Sequence, residues 1–467
     1  MKKSLLWIVV LVSSISMVAA FSLYGCEAEE AAAAEEEAAP AEEKVAEETE
    51  AEVVEEKPFE GAEITIPVLA GPPGDAVKEF APEFEALSGV KVNIEILSHD
   101  ELWKKMELDA ASGGKNFDAY HINYFKLDEY RNSGAIVPLK QYIEGDISPY
   151  SNPEWDDFAE ALIDAMSARE GDYWAIPHMG DTRLLWYNKE LFEEVGLSGP
   201  PDTWEEYIEY GKIMTKEDGS QYGAGNEFQK YIYTIDMFHA FLASFGGDFF
   251  DENWNSQINS PEGKEALQFM YDLMHKYKIV PPDVVNWGHT ELTNGIVTGY
   301  VAMVTQWHCF IPEAENPDSS LVAGKLGYAL VPGVEQPDGS IRRRDSLGCW
   351  GFAISSGSEY PEATYAFLEW LKSPEIDVRY ALAGGTSTRV STNNDPRVVE
   401  EIPYAPLIGQ SLSEVTMPLP IIPNFTEWSE VIGTELQKAL VDQLTVEEAL
   451  INCDKISNEL MEDIGYK

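Results

Sequence analysis

Basic residues are scarce in this chain. Its 467 residues include 32 Lys and Arg against 82 Asp and Glu, a formal charge of −50. Such a balance excludes electrostatic capture of nucleic acid or of an anionic lipid surface. Cysteine is scarce too: Cys26, Cys309, Cys349 and Cys453, with no CxxC pair and no metal-finger spacing. The apolar stretch Leu5 to Val12 is too short, and its surroundings too rich in serine, for a good membrane span. There is no GxSxG and no HExxH, and Gly113-Gly114-Lys115 lacks the earlier glycine and the Ser/Thr of a phosphate loop. A glycosidase needs only two placed carboxylates, so the many acidic residues leave that chemistry open. No repeat period is evident.

What is present begins with a targeting pattern. Lys2 and Lys3 precede the apolar stretch, and small and polar residues follow it. The segment ends in Leu23-Tyr24-Gly25-Cys26, which resembles the lipobox of bacterial lipoproteins. Tyr24 departs from the usual small residue. The resemblance implies lipidation of Cys26 after removal of residues 1–25. An ordinary signal peptide cut after Ala20 is the other reading. Residues 27–58 then hold fourteen Glu against Lys44 and Lys57. That stretch repels itself and buries nothing, so residues 26–58 are expected to act as an acidic tether, with a frayed Ala/Glu helix as the structural alternative.

The remainder alternates strand and helix signals. Ile64–Leu69, Lys91–Leu97 and Phe117–Asn123 read as short buried strands, as do Tyr300–Thr305, Leu326–Val331 and Phe352–Ser355. Thr203-Trp-Glu-Glu206 and Thr445-Val-Glu-Glu448 have capping-box spacing, and Ser260-Pro261 opens a third helix. Val77, Phe80, Phe84 and Leu87 mark a helix that Pro82 should kink. Cys453 shares a helical face with Ala449, Ile456 and Leu460, as a core thiol would. The alternation predicts an α/β chain of parallel sheets covered by helices.

Five segments carry a family resemblance: "LLWYNKELFEEVGLSGPPDTWEEYIEYGKIM" (184–214), "NGIVTGYVAMVTQW" (294–307), "GKLGYALVPG" (324–333), "GCWGFAISSGSEYPEATYAFLEWLKSPE" (348–375) and "GGTSTRVS" (384–391). In this order they resemble the family 1 extracellular solute-binding proteins of ABC importers. The resemblance implies a type II periplasmic-binding-protein fold: two discontinuous α/β lobes, a hinge, and a ligand cleft between them. Carried over, residues 59–177 and 334–390 would form the first lobe, and 178–333 and 391–467 the second. The implied function is capture of a sugar or oligosaccharide and its delivery to permease transmembrane subunits. The protein would be a monomer without cofactor, metal or catalysis, lipid-anchored outside the cytoplasm.

Sugars present apolar faces and a belt of hydroxyls, so aromatic platforms and hydrogen-bonding side chains are the expected cleft furniture. Trp307 ends a strand where relatives often stack a ring, and Trp350 opens one near a crossover. Trp428 resembles a position where relatives stack a Trp, with the core as the equal alternative. Asp181 is expected at the cleft edge, as sugar acceptor or hinge ion pair, and neighbouring His178 as structural. Asn123 and Tyr124 follow the third strand at the cleft mouth. Tyr231 and Asp236 match second-lobe contributions. Arg389 is expected to bind ligand or to pin its loop. Ala70-Gly71 offers a close backbone approach or a plain turn.

Two further patterns are weighed. Asp251 to Glu262 has the liganding pattern of a calcium loop, but Ser256 replaces the required glycine. Cys309 and Cys349 are expected as free thiols, since a bond between the lobes would restrict the hinge. Non-sugar ligands (a polyol, a polyamine or a glycerophosphodiester) stay open, as does a surface glycoside hydrolase or carbohydrate adhesin.

Overall fold

The structure, a computed structural model, describes residues 57–145, 147, 154–167 and 172–467. The expected leader, Cys26 and nearly all of the acidic tether lie outside these residues. The strands, in chain order, are β1 (Glu63–Leu69), β2 (Lys91–Leu97), β3 (Ala119–Asn123), β4 (Ile176–Asp181), β5 (Arg183–Asn188), β6 (Tyr222–Gly225), β7 (Val301–Trp307), β8 (Leu326–Ala329), β9 (Val334–Glu335), β10 (Ile341–Arg342), β11 (Asp345–Ser346), β12 (Gly348–Ile354) and β13 (Thr416–Met417).

In the first lobe β1 and β2 pair in parallel, and β1 packs beside β3 in a sheet ordered β3–β12–β4. The second lobe is built on a sheet ordered β6–β7–β5–β8. The sheets are mixed rather than purely parallel. β12 runs antiparallel to β3 and β4, and β5 antiparallel to β7 and β8. Only Thr182 separates β4 from β5, so the chain passes directly from the first sheet into the second. It returns to the first sheet through Leu347, between β11 and β12. β11 pairs in parallel with β13.

Helix signals hold at the caps. Thr203 Oγ1 accepts from the Glu206 amide at the start of helix Trp204–Met214, and Thr445 and Glu448 form the capping box of helix Val446–Asp463. Pro82 does not end helix Pro72–Ser88. It sits on the exposed face, as does Lys78, whose carbonyl loses its intrahelical partner and is free to meet water. Helix Trp204–Met214 lies hard against β6. A Cβ on Gly223 would come 2.0 Å from the Gly211 carbonyl oxygen, so backbone meets backbone there.

One core cluster joins β1, helix Pro72–Ser88 and helix Pro361–Leu371 through Ile64, Ile66, Phe84, Phe367 and Trp370. Another runs from Leu97, Met106 and Ile122 through the β6–β7–β5–β8 sheet and into helices Phe425–Leu440 and Val446–Asp463, where Cys453 is fully buried. Residue 177, the expected lobe boundary, lies inside β4, which stays paired with β12 as far as Asp181 and Gly348. The β9–β10 hairpin packs on the second lobe: Arg342 Nε donates to the Ser244 carbonyl at 2.8 Å.

Candidate functional site

Strand ends converge on the space between the two sheets. β1 delivers Leu69 and Ala70, β3 delivers Asn123, β4 delivers Asp181, and β7 delivers Trp307. β12 runs antiparallel to its neighbours, so its first residues, Gly348 and Trp350, meet those ends. A cavity of about 670 Å³ lies there, in the size range of small-molecule sites. Its place, beyond the carboxyl ends of the strands, is the general one for open α/β sheets.

Aromatic rings line both walls. On the first-lobe side Trp350 lies 6.3 Å from Trp103 and 5.8 Å from His99, with Phe125 6.2 Å beyond Trp103. On the second-lobe side His289 lies 4.8 Å from Tyr233, 5.5 Å from Phe310 and 6.4 Å from Trp307. Several polar atoms among these side chains have no partner: the indole nitrogens of Trp103 and Trp307 and the amide oxygen of Asn123. Buried polar atoms left unpaired are costly, and a hydroxyl-rich ligand would satisfy both kinds.

Beneath the second-lobe wall lies a buried charge cluster. Register places Arg183 of β5 opposite Trp307 of β7, and the guanidinium sits 4.0 Å from that ring. Arg183 also meets Asp345 at 3.0 Å, Glu227 at 3.3 Å and Asp236 at 3.6 Å. Glu227 is shared with His289, 2.5 Å away. Burial opposes charge on the His289 ring, but Glu227, by charge and hydrogen bond, more than offsets it and the net shift is upward. Burial pushes the Asp236 carboxyl up to about 7, with Arg183 pulling down and Glu227 pushing up. Where β4 passes into β5, Asp181 meets His308 at 2.7 Å. Burial pushes its carboxyl up, yet His308 and Cys309 draw it net below its ordinary value.

Of the residues picked out in the sequence, Trp307, Trp350, Asp181, Asn123, Tyr124, Tyr231 and Asp236 line this cavity together. Two do not. Trp428 points into the core of the second lobe, 5.1 Å from Phe249, and its indole donates to Ser457 Oγ at 2.9 Å. It sits on the inward face of helix Phe425–Leu440 with Ile432 and Leu436, and the helix instead offers Phe425, nearly one turn earlier, to the cavity. Arg389 is fully buried elsewhere. It donates to Asp157 at 3.0 Å and to the carbonyls of Glu154 and Lys372, so it pins its loop. His178 is structural: Nδ1 faces His121 Nε2 at 3.1 Å, while Nε2 has no partner.

Sequence reasoning missed His99, Trp103, Phe125, Tyr233, His289 and Phe310. His99 and Trp103 follow the end of β2, so the strand-end rule that found Asn123 would have found them. The cluster of Arg183, Glu227 and Asp345 left no signal, because its members are scattered along the chain. Asp251 spends its carboxylate on the Asn253 and Asn255 amides, and no group of three metal-ligating side chains occurs among the described residues. Cys309, Cys349 and Cys453 are free thiols.

A two-lobed α/β body with an aromatic, polar cleft at its hinge defines the class of periplasmic-binding folds. Residues 70–377 match the family model of the bacterial extracellular solute-binding proteins, and the chain belongs to that family. It is 24% identical over 415 residues to a probable amino-acid ABC transporter periplasmic-binding protein of Sinorhizobium fredii, covering 88% of this chain and 92% of that one. It is 25% identical over 397 residues to the mannitol-binding protein of Pseudomonas aeruginosa, covering 79% and 86%. Among solved structures, maltose-bound MalE3 of T. maritima superposes with a TM-score of 0.72 at 27% identity, covering 85% of this chain and all of that one. No helix among the described residues is long and apolar enough to cross a membrane.

Proposed function

We propose that the chain is the receptor of an ABC importer for a small carbohydrate or polyol, which it binds without turnover and hands to permease subunits. The observation that carries this reading is the cleft itself: aromatic residues from both sides line it, and the indole nitrogens of Trp103 and Trp307 and the amide oxygen of Asn123 have no partner. Trp307 and Trp350 would stack on the sugar faces, and Asn123, Asp181, Asp236 and the tyrosines Tyr124 and Tyr231 would bond its hydroxyls. The mannitol-binding and maltose-bound relatives support the class of ligand. An amino acid, the solute in the name of the Sinorhizobium relative, or a phosphodiester would want a cation, and no Lys or Arg occurs among the described residues lining the cleft.

The lobes would then meet at Thr182 and Leu347. Closure would be a population shift driven by contacts to both walls. Cys26 would carry the lipid, and residues 27–58 would hold the receptor off a bacterial membrane. Mass analysis of the cell-derived protein tests the anchor: an acylated Cys26 at the N-terminus is expected, and a chain beginning at Phe21 would refute it. The ligand is tested by thermal unfolding of the chain from Glu56 on, which forms one compact unit, against mono- and oligosaccharides, polyols and amino acids. A ligand at a hundred times its dissociation constant adds about 2.7 kcal/mol. A stabilising sugar or polyol is the expected result. Stabilisation by amino acids alone would refute the reading.

A further inference from the structure

The charges around the cleft are unevenly matched. Its described lining holds Asp181, Asp236 and Glu430 against two imidazoles: His289, already bonded to Glu227, and His99, which burial holds below its ordinary range. Arg183 lies behind the wall and is shared among three carboxylates. Of those three, Asp345 has the guanidinium at 3.0 Å and also accepts from the Ser346 amide at 2.7 Å. Glu227 has Arg183 and His289. Asp236 is the under-bonded one. Among the described residues its ion-pair partner is Arg183 at 3.6 Å, beyond hydrogen-bonding reach, and its side chain is the one of the three that opens on the cavity. Independently, Asn123, 9% exposed and also lining the cavity, has a buried amide oxygen without a partner. Carboxylates therefore outnumber cations at the cleft, inside a chain whose formal charge is −50.

We infer that the cleft sorts its ligands by charge, with Asp236 as the deciding acceptor. A polyhydroxylated ligand bearing an ammonium group binds in preference to its neutral counterpart, and the matching carboxylate is excluded. This rests on the carbohydrate reading above. An ammonium placed near Asp236 would donate charge-assisted hydrogen bonds to it, stronger than those of a hydroxyl. A carboxylate there would lie against acids whose only guanidinium is already committed, a repulsive arrangement that gives specificity. Because burial holds the Asp236 carboxyl at about 7, an ammonium would also displace its proton. The groups facing that carboxyl are Arg183 on β5, Glu227, His289, Asp345 on β11 and the Tyr124 hydroxyl.

The test is calorimetric titration with matched trios: glucosamine, glucose and glucuronate, and the corresponding galactose and mannose sets. For a skeleton that binds, the amine is expected to bind about tenfold tighter than the neutral sugar, a factor typical of one added charge-assisted bond, and the acid not at all. At pH 6, where the amine is an ammonium, titrations repeated in buffers of different ionisation enthalpy should show a proton release that the neutral sugar lacks. Asp236→Asn should abolish the proton release and bring the ratio of amine to neutral affinity to about one, whatever it does to neutral binding itself. Glu430→Gln, at the exposed rim, should keep the preference. An acid bound as tightly as its neutral partner, or a preference that survives Asp236→Asn, overturns this inference alone. If no member of any trio binds, the carbohydrate reading falls and this inference falls with it.

Discussion

Trp428 and Trp350 have the same side chain and opposite consequences. Trp428 is 2% exposed and packed among Phe249, Phe250 and Phe425, so Trp428→Ala opens a core cavity. It is expected to cost about 3–5 kcal/mol of folding stability, read by denaturant unfolding, with affinity intact in the folded fraction. Trp350 is half-buried in the cleft wall. Its alanine variant should lose about 1–2 kcal/mol of ligand binding, roughly five- to thirtyfold in Kd, by titration with the stabilising sugar. His121 and His178 carry a separate prediction. Burial lowers both rings, His121 to about 3, so the folded chain keeps them neutral where the unfolded chain protonates them. Stability from His121 is complete above about pH 6.5 and is lost as pH falls towards 3, at about 1.4 kcal/mol per pH unit. His121→Gln keeps an acceptor for the Leu69 amide, and it should flatten the acid limb of the melting-temperature profile between pH 6.5 and 4.

Helix Ile232–Phe245 starts in a strained way. Tyr231, at its N-cap, has φ 71 and ψ −133, a region that residues other than glycine seldom occupy. Helix Phe425–Leu440 presses on it: a Cβ on Gly433 would come 2.6 Å from the Tyr231 carbonyl oxygen. The strained residue is also exposed and lines the cleft, which fits strain kept for function. Tyr231→Gly is expected to stabilise the ligand-free protein by up to about 1 kcal/mol while weakening ligand binding. Equilibrium unfolding and titration of the same preparation would check both signs, and a loss of stability would show that the Tyr231 side chain matters more than its backbone.

Across the whole protein the acidic surface and the hinge dominate. Raising the ionic strength from 0.01 to 0.15 M shortens the screening length from about 30 to about 8 Å. Self-repulsion in a chain of formal charge −50 should weaken accordingly, and the melting temperature should rise with salt. If the two lobes close on a ligand, small-angle scattering should show a smaller radius of gyration on adding the stabilising sugar. An unchanged radius would mean that the cleft already holds its closed geometry without ligand.

Strand and helix positions were readable because they follow from periodicity and caps, which are local. β2 spans the expected Lys91–Leu97, and Thr203, Ser260 and Thr445 cap the helices they precede. Strand ends also pointed to Asn123 and Trp307, since a strand's last residue is a matter of chain order. Facing direction is not local. Whether Trp428 turned to the cleft or the core depended on how helix Phe425–Leu440 packs on Phe249 and Ser457, residues far from it in sequence. Arg389 likewise owes its role to Asp157 and Lys372, which only folding brings within reach. The Arg183 cluster exists because β5 pairs with β7 and lies beside Asp345 and Glu227. Local chemistry set the elements and their order. Long-range packing chose which side chains face the cleft and which charges must share a buried guanidinium, because burial and pairing are properties of neighbours in space.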